Sequence, residues 1–120
     1  MQRDMDLARG ILLALEECES ASGLKTLDVD GATEEQVSYH VKLLYQAGLI
    51  EARDASGTNS FHWYPISLTW EGHEFLDASR DETQWNNAKK IIREKGGGLS
   101  FDVLKAVLIQ LTKQGLGLSS

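Results

Sequence analysis

Cysteine is nearly absent: Cys18 is the single one in 120 residues. That excludes an internal disulfide and a thiolate cluster. Proline is as scarce, with Pro65 alone. A proline cannot donate to a β-ladder, so it marks a sheet edge or a bulge in the strand that holds it. No stretch approaches the roughly 20 apolar residues that cross a bilayer, and the opening M-Q-R-D-M-D-L has no signal-peptide apolar run. A cytoplasmic protein without a membrane partner is expected. Cations are also scarce, on one side only. Residues 1–60 hold five (Arg3, Arg9, Lys25, Lys42 and Arg53) against eleven anions, while 61–120 hold seven of each, for a net charge of −6. Nucleic-acid binders usually show the opposite sign, because phosphate neutralisation supplies most of their affinity.

Catalytic signatures are missing too. No H-E-x-x-H, C-x-x-C or G-x-S-x-G occurs, and each of these spacings places ligands or a nucleophile for a definite chemistry. His40, His62 and His73 are scattered over separate elements, and a lone inward histidine such as His40 is ordinarily packed and hydrogen-bonded. Gly96-Gly97-Gly98 is no phosphate loop, since no strand precedes it and no G-K-S/T follows. The expectation is a binding protein rather than an enzyme, with no cofactor and no metal.

What is present suits one globular domain over 1–120: 42% hydrophobic and 25% charged residues, enough for a core without staples. Met5, Ala8, Ile11, Leu12, Leu15 and Cys18 recur every three or four residues, predicting a helix over 4–18 with Asp4 and Asp6 in its first turn. Residues 24–30, L-K-T-L-D-V-D, alternate between glycines 23 and 31 and read as a short strand. Thr33-Glu34-Glu35-Gln36 is a capping box that opens a helix to about Ala47, with Gly48 as its left-handed stop. Val37, Val41, Leu44 and Ala47 form its inner face, and Glu35, Ser38, Tyr39, Lys42 and Gln46 its outer one. Two extended runs, 49–54 and 61–69, flank the turn-forming A-S-G-T-N-S, which predicts a hairpin with a polar tip. A helical extension over about 70–115 follows: Thr69 caps 70–78, Asp81 caps 82–95, and Ser100 caps a last helix, with 115–120 expected to fray.

Helix, short strand, helix, two-stranded flap, helix is the order of a winged helix, an α+β fold. The run Q-V-S-Y-H-V-K-L-L-Y-Q-A-G-L-I at 36–50 resembles the recognition helix and first wing strand of the arsenical-repressor class of winged-helix regulators. The matching positions are Ser38, His40, Leu44, Ala47, Gly48, Leu49 and Ile50, and L-T-W-E-G at 68–72 is similar to the L-T-x-x-G that follows the wing there. The chain also resembles a family of short bacterial and phage proteins classed as a domain of unknown function. That likeness runs through M-x-R-D-M-D-L, Y-H-V-K-L-L-x-x-A-G-L-I, L-T-W-E-G-H-E-F-L-D-A, W-N at 85–86, K-G-G at 95–97 and L-S-F-D-V-L-K. It implies a phage or prophage setting. One departure stands out: 23–32 has no helical period, whereas a DNA-reading helix is normally braced by a helix just before it.

Two readings of function follow. The resemblance implies a DNA-binding regulator that uses helix 33–47, with Ser38, Tyr39, Lys42 and Gln46 toward the groove and Arg53 at the base of the wing. The charge, the bare wing and the missing brace imply instead a protein-interaction module on the same scaffold. Lys89, Lys90 and Arg93, with Lys95, are either a phosphate-binding patch or cations complementing a helix C-terminus. Trp70 and Trp85 are expected in the core. One of Trp63 and Tyr64 must face outward, because strand neighbours alternate. The broad apolar arc of Phe101, Val103, Leu104, Val107, Leu108 and Leu111 fits either a homodimer seam through helix 100–115 or burial within the protein.

Overall fold

The computed structural model describes residues 1–117. It is α+β: five helices and one two-stranded antiparallel sheet, in the order α1 (Met5–Glu16), α2 (Glu34–Gln46), β1 (Ile50–Asp54), β2 (Trp63–Leu68), α3 (Trp70–Ser79), α4 (Glu82–Glu94) and α5 (Phe101–Gly115). The caps expected at Thr33, Asp81 and Ser100 form, while Asp4, expected within the first turn of α1, is instead its N-cap. The Asp4 carboxylate accepts from the N–H groups of Asp6 and Leu7 at 2.9 and 3.2 Å. Gln36 N–H donates to Thr33 Oγ1 at 3.1 Å, while Thr33 N–H donates to Gln36 Oε1 at 2.8 Å. Asp81 and Ser100 cap α4 and α5 likewise. Gly48, at φ +80°, ends α2, and Leu49 N–H closes back on Leu44 O at 3.0 Å, a geometry that a side chain resists. Of the tail, Gly115 still belongs to α5 and Leu116 N–H bonds Thr112 O at 3.0 Å; 118–120 lie outside the described residues.

The chain divides into two compact units, Met1–His73 and Glu74–Ser120. In the first, Met5, Ala8, Ile11, Leu12 and Leu15 of α1 are buried, as are Val37, Val41 and Leu44 of α2 and Leu49 and Ile50. Helix α1 packs on α2 and β2, and α2 packs on both strands. Ala47, expected on the inner face, is exposed, since the helix has already ended there. His40 ties two helices. It is 2% exposed, its Nε2 accepts from Asp4 N–H at 2.8 Å, and Nδ1 lies 2.8 Å from Gln36 O. These two contacts assign the ring proton to Nδ1.

The strand expected over 24–30 does not form. The alternation is real, because Lys25, Leu27 and Val29 are half-buried between exposed neighbours, but no ladder pairs it. Its backbone bond to the hairpin runs from Lys25 N–H to Pro65 O at 3.0 Å. Pro65 has no N–H to return, so the exchange that propagates an antiparallel ladder stops there. The same proline sits at a bulge: Glu51 pairs with Ser67 and Ala52 with Pro65, leaving Ile66 extra.

In the second unit Phe75 meets Trp85 and Phe101 edge to face, with ring centroids 6.2 and 5.1 Å apart. Leu76, Ala88, Ile92, Leu104 and Leu108 are buried with them. Burying a ring the size of Trp85 is worth about 4 kcal/mol. Trp70 departs from expectation. It is 75% exposed, because as the first residue of α3 it projects from the helix end.

Candidate functional site

Ser38, Tyr39, Lys42, Gln46 and Arg53 do not form one outward row. Ser38 is 7% exposed, where a solvent-facing residue was expected. Helix α2 is covered on a wide arc, by α1 on one side and the hairpin on the other, and position 38 falls under the hairpin. Lys42, one turn on, is half-buried with its ammonium 5.9 Å from the centre of the Phe61 ring. Tyr45, the next residue of that row, sits 5.5 Å from the Trp63 ring. Ser38 and Lys42 therefore face the protein's own hairpin, while Tyr45 beside that hairpin stays 44% exposed. Glu35 and Gln46 remain exposed, with Tyr39 half-buried between them and its ring edge-on to His40 at 5.8 Å.

Arg53 is exposed on β1, paired in register with Tyr64. Next to it, the Asp54 carboxyl is held below its ordinary value. The Ser56 hydroxyl is the main cause, then the Ser56 N–H, with a smaller contribution from the Lys42 charge. The hairpin tip closes as a tight turn through Gly57 N–H to Ser60 O at 3.0 Å, and residues 55–60 contain no Lys or Arg.

The basic run at 89–95 is not one patch. Lys89 is 9% exposed, with its ammonium 5.6 Å from the Trp85 ring centre. Lys90 is exposed and 4.0 Å from Glu94 Oε1; Arg93 and Lys95 are exposed. Neighbouring residues on a helix point about 100° apart, and here that step separates covered Lys89 from exposed Lys90. On α5, Leu104 and Leu108 are buried, Phe101, Val107 and Leu111 half-buried, and Val103 and Ile109 exposed.

A cleft in the first unit was not anticipated as such. It has a volume of about 110 Å³. The 25–28 segment supplies one wall, the first turns of α2 the floor and the start of β2 the other wall, including Asp28, Glu34, Ser38, Trp63 and Tyr64. Trp63 and Tyr64 carried a sequence signal, as aromatic strand neighbours of which one must face out. Asp28 and Glu34 carried none, because their meeting depends on how the extended segment folds back. Lys25 also lines the cleft, but its ammonium donates to the carbonyls of Ser22, at 3.3 Å, Gly23, at 3.2 Å, and Ile66.

A family model described as a hypothetical protein (DUF2513) matches residues 2–98. The chain belongs to the DUF2513 family. The matched residues take in α1 through α4, the hairpin and the whole cleft of this DUF2513 protein, and stop short of α5. It is similar to a Haemophilus influenzae protein described as an uncharacterized protein, 46% identical over 119 residues, which cover 97% of this chain and 99% of the relative. No solved structure matches the chain. No helix among the described residues is long and apolar enough to cross a membrane.

Proposed function

We propose that this DUF2513 protein is a non-enzymatic protein-interaction module on a winged-helix type of scaffold, with α2 in the place of a recognition helix and the β1–β2 hairpin as the wing. The observation that carries this reading is the orientation of the groove-reading side chains: Ser38 is buried, and Lys42 lies over Phe61. A DNA complex needs donors that reach phosphates and base edges, and cations supply most of its affinity. Here α2 begins with exposed Glu34 and Glu35, and Met1–His73 holds five Lys and Arg against twelve Asp and Glu. No helix forms between α1 and α2 to brace α2 against a duplex. The surface left open on α2, Glu35, Tyr45 and Gln46 with half-buried Tyr39 beside them, has the polar and aromatic mixture typical of protein interfaces.

A phage-type DNA-binding regulator is the second reading, favoured by the likeness of 36–50 to a recognition helix. Two measurements separate them. Duplex DNA should show no retardation at about 50 mM salt; a shift there that weakens steeply toward about 200 mM would establish the DNA reading instead. Partner capture from the source organism should be lost in the Tyr39→Ala, Gln46→Ala double variant, with its circular dichroism unchanged. Capture unaffected by that variant removes the α2 surface from the interaction.

A further inference from the structure

We propose that the cleft between the 25–28 segment, α2 and β2 is a receptor for an arginine side chain presented by a protein partner. The inference rests on the interaction-module reading and names the chemistry that the partner must offer. Three observations converge. First, Ser38 is nine-tenths buried and lines the cleft, yet its hydroxyl has no hydrogen-bond partner among the described residues. Its oxygen is not sealed from solvent either, since no buried polar side-chain atom is left unsatisfied among the described residues. A mid-helix serine with that placement offers an acceptor and a donor to whatever enters.

Second, Asp28 and Glu34, both at exposed positions, are among the lining residues, and their side chains make no ion pair or hydrogen bond among the described residues. Of the two basic side chains in the lining, Lys25 already holds three backbone carbonyls and His62 is stacked on Tyr64 with ring centroids 6.1 Å apart. An entering group therefore meets free acceptors of negative charge, inside a unit with seven more anions than cations. Third, Trp63 and Tyr64 are both among the lining residues, and because strand neighbours alternate faces one of the two rings is presented to the cleft. A planar, donor-only cation satisfies all three: guanidinium carries five N–H donors, stacks on aromatic rings and is weakly hydrated. A carboxylate or phosphate would meet Asp28 and Glu34 with like charge.

The test is a titration followed by NMR, with N-acetyl-arginine methylamide as the probe and its citrulline counterpart, equal in shape and uncharged, as the control. Arginine should shift the Ser38 amide and the Trp63 indole, and citrulline should not. Glu34→Gln, at an exposed position, should fold normally and weaken arginine binding about two- to fivefold; Ser38→Ala should weaken it further. No shift with arginine at tens of millimolar, or an equal shift with citrulline, overturns the proposal. If arginine fails while partner capture still depends on Tyr39 and Gln46, the cleft inference falls and the interaction reading stands. If arginine binds but capture is indifferent to those residues, the α2 surface is refuted and the cleft is kept.

Discussion

Gly72 gives the sharpest test of how the hairpin is anchored. It lies in the first turn of α3 and is buried. A Cβ added there would sit 2.0 Å from the Leu49 carbonyl oxygen and 3.0 Å from its carbon. Real contacts need the backbone to retreat by at least about 1 Å. The retreat pulls on two bonds that fasten the end of β2 to the start of β1: Thr69 N–H to Leu49 O at 3.0 Å and Thr69 Oγ1–H to Gly48 O at 2.6 Å. Each is worth about 1 kcal/mol, and overpacking adds about 1–3. The gain in helix propensity from Gly to Ala offsets about 1 kcal/mol. Gly72→Ala should thus destabilise by about 3 kcal/mol, moving the urea midpoint down by roughly 1.5–2 M. Gly10→Ala is the internal control. Gly10 lies within α1, and the new Cβ meets only Val29 Cγ1 at 3.9 Å, so propensity alone acts and the variant should gain up to about 1 kcal/mol. Far-UV circular dichroism in urea measures both. A Gly72→Ala midpoint within error of the parent would refute the close approach, and with it the physical account of the L-T-W-E-G segment.

Two further outcomes follow from particular contacts. The Asp54 carboxyl is kept ionised by the Ser56 hydroxyl and N–H, so its contribution is present above the ordinary carboxylate range and is lost as pH falls through the lowered value. Ser56→Ala should raise the Asp54 titration midpoint toward the ordinary value, read from its side-chain carbonyl by NMR, and an unchanged midpoint refutes the assignment. Trp85→Ala should cost about 3–5 kcal/mol, whereas Trp70→Ala should cost no more than about 1, because their exposures are 1% and 75%; similar urea midpoints for the two variants would contradict these burials.

Much of the local structure is legible in the residues themselves. Capping side chains act within three or four positions, so Thr33 with Gln36, Asp81 and Ser100 locate helix starts without any knowledge of the fold. The stripe of Val37, Val41 and Leu44 turns inward as its spacing requires, and Pro65 marks its bulge. Period alone, however, says only that 24–30 is extended and one-sided. Whether it pairs depends on what lies beside it, and there it meets the one residue that cannot answer its bond.

The proposed interaction surface divides the same way. That α2 is amphipathic is local information. Which flank of its polar side is covered is not, because the hairpin arrives from residues 61–68 and takes Ser38 and Lys42 out of the outward row. The same return of the chain brings Asp28 and Glu34 to the mouth of one cleft with Trp63 and Tyr64. Hydrogen bonds to near neighbours and helical period are properties of short windows of sequence; a surface shared by three segments exists only once tertiary packing has chosen which faces to hide.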